Sequence, residues 1–221
     1  VLLRYLAEHI QEQSVPEDLP EALEELVGLL EHGVERMDLG RCLVLCDRPY
    51  DAVPELESAL VSGLDHEMED EVVELLLRVE VPDFEHRYKQ AMRGIELGTD
   101  PISAIAVMRE FLERRPQFWP ALRHTAAALR HLGHVEEALD VYFEVLLRRP
   151  DDRPSLLASA EIFSDRGNPK RALELVESVL QDHPGDEEGL FLRAACLERL
   201  GRLEDADSAL ERAVQSDSSR D

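Results

Sequence analysis

Few side chains in this 221-residue chain stand at spacings that chemistry would need. Cys42 and Cys46 lie four apart, which on a helix puts both thiols on one face, the arrangement of a metal or redox pair. No second Cys or His pair follows at the spacing of a closed zinc site, so both are expected to be buried, unreactive thiols. Cys196, set among alanines, is expected to be packing as well. The eight histidines form no His-Glu-x-x-His run, and Asp65-His66-Glu67 reads as the polar start of a helix. Acidic clusters over 65–71 and 182–188 could hold a hard cation, but neither has the glycine and ligand spacing of a calcium loop. Carboxylates at helix starts, favoured by the helix dipole, account for them. There is no glycine-rich phosphate loop, nucleophile elbow or kinase signature. The chain is expected to be no enzyme and to hold no cofactor and no metal.

Charge narrows the partners. The formal net charge is −24, and it is uneven. Residues 1–84 carry 22 acidic against 5 basic side chains, 85–152 carry 11 against 10, and 153–221 carry 15 against 9. Such a chain repels nucleic acid and anionic lipid at long range, so neither is expected as a partner. No run of 18 uncharged apolar residues is present, so no membrane insertion is expected. Three cysteines make no disulfide framework and point to a reducing compartment, the cytoplasm. Arginine outnumbers lysine 22 to 2, which suggests a GC-rich bacterial coding sequence. The chain begins at Val1 and closes on a polar run from Ser216, and it reads as part of a longer polypeptide.

The elements that position these residues are announced by prolines. Pro82, Pro116, Pro150 and Pro184 recur every 34 residues. Blocks cut behind them, 85–118, 119–152, 153–186 and 187–220, align in columns. One column reads Ala104, Ala138, Ala172, Ala206; a second Met92, Ala126, Ala160, Ala194. Two larger columns read Ile95, Leu129, Phe163, Leu197 and Met108, Tyr142, Val176, Leu210. Each block holds two apolar-periodic segments split by a break such as Leu132-Gly133-His134. Alanine belongs where two helices cross closely, and proline where the second helix must stop. One block cannot bury its apolar face alone, so neighbours must stack.

A 34-residue helical period with small-residue columns and a closing proline resembles the tetratricopeptide repeat (TPR) family. The fold expected is all-α, a right-handed α-solenoid of helix hairpins, with four repeats over 85–220. Residues 1–84 are expected as an acidic helical region that continues or caps it, with helices over 1–13, 17–31, 35–46, 54–64 and 67–79. Residues 51–84 have repeat length and end at Pro82, but Asp70 and Glu74 stand where later blocks place alanine and a large apolar residue. That stretch is either a degenerate repeat or a capping hairpin.

The resemblance implies that the first helix of each block lines a concave groove that holds a polypeptide. Carried over by register, the positions that line it include Lys89 and Arg93 in the first block. The second gives Arg123, Ala127, Arg130 and His131, with His124 adjacent. Leu157 and Glu161 follow in the third block, and Glu188, Phe191 and Ala195 in the fourth. Four cations on one wall repel each other, which favours an acidic ligand; Leu157 and Phe191 would anchor its apolar part. The carboxylate clamp of heat-shock co-chaperones is not assigned. Lys89 matches its first member, but Arg93 and His124 stand where Asn is required, and Pro154 and Ala158 replace later cations. The function expected is a protein-interaction scaffold holding an acidic, partly apolar segment. The alternatives are a secretion- or pilus-type chaperone or assembly factor, and the non-catalytic part of a larger enzyme. Ala209, Leu210, Ala213 and Val214 need cover at the last helix, which leaves homodimerisation open.

Overall fold

A computed structural model describes residues 32–217, so the helices expected over 1–13 and 17–31 lie outside the described residues. Among the described residues the chain is all-α, with eleven helices and no strand. They are α1 (Gly33–Leu45), α2 (Pro49–Val61), α3 (His66–Glu80), α4 (Phe84–Glu96), α5 (Pro101–Arg114), α6 (Trp119–His131), α7 (Val135–Arg148), α8 (Arg153–Asp165), α9 (Pro169–Asp182), α10 (Glu187–Arg199) and α11 (Leu203–Asp217).

From α2 onward the helices pair through short turns, and each turn has a glycine in the left-handed region: Gly63, Gly98, Gly133, Gly167 and Gly201, with φ between 61° and 81°. In the last three turns the amide after the glycine bonds the carbonyl five residues back, His134 to Leu129, Asn168 to Phe163 and Arg202 to Leu197, at 2.8–2.9 Å. This satisfies carbonyls that the helix end leaves open, and glycine takes the required φ without a Cβ clash. Those turns hold three residues; the turns after α2 and α4 hold four. The extra residue shifts α4 by one position against the 34-residue register. The deeply buried small residue of that helix is therefore Ala91, while Met92, expected in its column, is only half-buried.

The contacts divide the chain into two compact units. In the first, which joins residues up to Arg93 with 106–121, α1, α2 and α3 share one core of Met37, Leu39, Cys42, Leu43, Ala52, Leu56, Ala59, Val72, Leu75 and Leu76. Gly40 lets α1 close on α2, since a Cβ there would stand 2.6 Å from Leu56 Cγ. The buried Glu55 carboxylate is met by Arg36 Nη1 at 3.0 Å. The core face of α3 falls on Val72 and Leu76, two positions beyond Asp70 and Glu74. An aromatic cluster holds α4 to α5: the Phe84 and Phe111 rings lie 4.8 Å apart at 57°, with Tyr88 and Phe118 packed around them.

The second unit joins 94–105 with 122–221. Here Ala126, Ala138, Leu139 and Tyr142 pack α6 and α7 with Ile162 of α8. Ala160, Ala172, Val176, Leu180, Leu190, Cys196 and Ala213 join α8 through α11. The four-alanine column is buried throughout, each member 2% exposed or less. On α11, Ala209 and Ala213 are buried within these clusters and Leu210 packs against them; Leu203 and Val214 remain exposed.

Candidate functional site

The first helices of the second unit, α6, α8 and α10, are tied at both ends by arginine. At their N-terminal ends an aspartate serves twice. Asp152 caps α8 by accepting from the Ser155 amide at 3.1 Å, and it also accepts from Arg123 Nη1 at 2.6 Å. Asp186 caps α10 by accepting from the Gly189 amide at 2.7 Å, and it takes the Arg153 fork, whose Nη2 stands 3.1 Å from Oδ1. The same Nη2 donates to Glu188 at 2.8 Å. Burial pushes the Asp186 carboxyl up, but Arg153 together with the Gly189 amide and His183 outweighs it and holds the carboxyl below the usual aspartate range. At the C-terminal ends Arg130 donates to Glu161 at 2.6 Å, and Arg199 donates to the Ser164 carbonyl.

Between α8 and α10 these groups border a groove with a cavity volume of 610 Å³, lined by Arg153, Glu161, Asp186, Glu187, Glu188, Phe191, Leu192 and Ala195. Phe191 is 47% exposed, a large aromatic left open to solvent amid charged groups. Of the residues expected from the sequence, Phe191 and Ala195 meet here. Arg130 reaches the groove through Glu161. Leu157 does not: it is 2% exposed and packs with Leu156 and Val179, so it belongs to the core and cannot anchor a ligand.

The remaining candidates are placed as follows. Lys89 and Arg93 belong to the first unit, and the other eight to the second. Lys89 is exposed, with Glu85 at 3.6 Å, and the exposed Arg93 forms no ion pair among the described residues. His124 is half-buried, and burial, helped by Arg123, pushes its pKa down to about 4. His131 is exposed and Ala127 half-buried. Mutual repulsion among the cations does not hold for Arg123 and Arg130, because each faces a carboxylate: Asp152 at the N-cap of α8 and Glu161 within α8. Sequence reasoning missed those pairings and Arg153. A signal existed: the partners lie 29, 31 and 33 residues apart, near one repeat length.

Burial raises the Cys42 thiol to about 12, with Cys46 and Asp38 adding to the rise, and it also raises Cys46 and Cys196. Thiols held in the protonated form are poor nucleophiles and poor ligands. Among the described residues no three His, Cys, Asp or Glu side chains gather where they could hold a metal ion. None of the described helices is long and apolar enough to cross a membrane.

Two family models match, both described as tetratricopeptide repeat, over residues 100–154 and 164–220, together about half of the chain. Among solved structures the fold is similar to one titled "Crystal structure of MamA", with TM-score 0.54 and 13% identity over 78% of this chain and 95% of that one. It is also similar to MamA 41-end from Desulfovibrio magneticus RS-1, with TM-score 0.53 and 16% identity over 86% and 97%. At such identity the likeness concerns the fold. No curated protein matches the chain in sequence.

Proposed function

We propose that this chain, which belongs to the tetratricopeptide repeat family, is a non-catalytic interaction scaffold that holds a partly apolar polypeptide segment against α8 and α10. The observation that carries this is Phe191, half exposed on the floor of a groove walled by charged side chains. An aromatic ring with little entropy to lose is the kind of residue on which binding energy concentrates. The segment is acidic where it meets arginine. Because Arg130 already pairs with Glu161, a ligand carboxylate enters by exchanging with Glu161, and both partners are open enough to allow it, 41% and 38% exposed. The scaffold works in the cytoplasm, where its three cysteines remain free thiols.

Selection of peptides from a random display library on the full chain tests this. Recovered peptides should bind Phe191→Ala about thirtyfold more weakly, the ~2 kcal/mol of a buried aromatic anchor. Equal binding by Phe191→Ala would overturn the assignment of the groove. The substitution itself should leave stability within about 0.5 kcal/mol, since the ring is exposed.

A further inference from the structure

Resting on that reading of the groove, the geometry points to a segment that carries a lysine or arginine beside its apolar anchor. Around Phe191 the lining holds four carboxylates, Glu161, Asp186, Glu187 and Glu188, and one guanidinium, Arg153. Arg153 is shared between Asp186 and Glu188, and Arg130 meets Glu161 from outside the lining. Glu187 forms no ion pair among the described residues. Two negative charges are left over next to the aromatic floor. The start of α10 supplies only about half a positive charge, so it offsets a fraction of them.

An apolar side chain that covers Phe191 drives water away from these carboxylates. Desolvating a carboxylate without a counter-charge opposes binding, whereas a cation brought in with the anchor replaces the lost hydration. The wider field acts the same way. Residues 153–221 carry 15 acidic against 9 basic side chains, and the chain as a whole carries −24, so a basic segment is drawn in and an acidic one repelled. An acidic residue of the segment is then read at Arg130, and the basic residue at Glu187 and Glu188. These are separate contacts with separate mutational signatures.

The test uses the full chain and three fluorescein-labelled 12-residue peptides that share a central Leu-Phe anchor. The two residues flanking the anchor are lysine in one, glutamine in the second and glutamate in the third. Fluorescence anisotropy at low salt should rank lysine at least tenfold tighter than glutamine, with glutamate weakest. The Glu187→Gln/Glu188→Gln double variant should shrink the lysine advantage to about threefold or less while its circular dichroism stays unchanged. Three peptides that bind equally, and all weaken on Phe191→Ala, would overturn the cation requirement and leave the groove standing. Tighter binding by the glutamate peptide overturns it too. If no peptide binds, the groove assignment falls and this inference falls with it.

Discussion

Arg123 Nη1 stands 2.6 Å from Oδ1 of Asp152, and the same aspartate caps α8 through the Ser155 amide. One side chain, only 6% exposed, thus caps the start of α8 and ties α6 to it. Asp152→Ala removes the cap, worth about 1 kcal/mol, together with the carboxylate that faces the mostly buried Arg123 guanidinium. We expect a loss of about 2–3 kcal/mol in urea unfolding. Asp152→Asn keeps the cap acceptor and should lose about half as much; an Asn variant as stable as the parent would mean the ion pair contributes nothing, and equal losses that the cap contributes nothing.

Ala172 lies at the crossing of α9 with α8 and α10, fully buried in the core that contains Ala160, Val176 and Leu190. Ala172→Leu has no room to enter and should cost about 1–3 kcal/mol through overpacking. Thermal unfolding of the variant checks this. A melting temperature at or above that of the parent would show that the crossing has room for a larger side chain.

His124 has its pKa pushed down to about 4 by burial and by the neighbouring Arg123. Unfolded, the imidazole titrates near its ordinary value of about 6.5, so the unfolded chain binds the proton first. Its contribution is full above pH 6.5 and is lost as pH falls from 6.5 towards 4. His124→Gln should flatten the stability profile over that window relative to the parent. Carboxylates that titrate at its acid end are common to both proteins and cancel in the difference. Parallel profiles would show that His124 protonates without penalty.

Ser159 is fully buried on α8, and its hydroxyl has no hydrogen-bond partner among the described residues. A buried hydroxyl left unpaired opposes folding, so Ser159→Ala should raise stability by about 1 kcal/mol. Loss of stability instead would reveal a bond to the Ser159 hydroxyl.

Much of the fold was legible because repetition makes its own alignment. The column Ala104, Ala138, Ala172, Ala206 is buried as its spacing required. Less legible was whatever breaks the period. The four-residue turn at Gly98 slides α4 by one position, so a constant register named Met92 where Ala91 is buried. In α3 the same rigidity pointed at Asp70 and Glu74, although Val72 and Leu76 supplied an apolar face two positions on. At the groove, Phe191 and Ala195 come from the family resemblance carried over by register, and both line it. Leu157 could not be sorted, because a residue on the inner helix face is core or surface according to how closely the next helix packs. Nor could Arg130 be known as paired from its own helix, since Glu161 comes from the following repeat.

The arginine links between α6, α8 and α10 have a mechanical consequence. Apolar contact is not screened by dissolved ions, but Arg130–Glu161 and Arg153–Glu188 are open to the solvent and weaken as counterions accumulate. The distance between adjacent first helices is therefore held partly by a fastening that salt screens, laid over one that it does not screen. Under concentrated electrolyte the gap beside Phe191 gains compliance while the alanine seams keep the hairpins whole, so the width of the cleft and the integrity of the stack answer to different conditions.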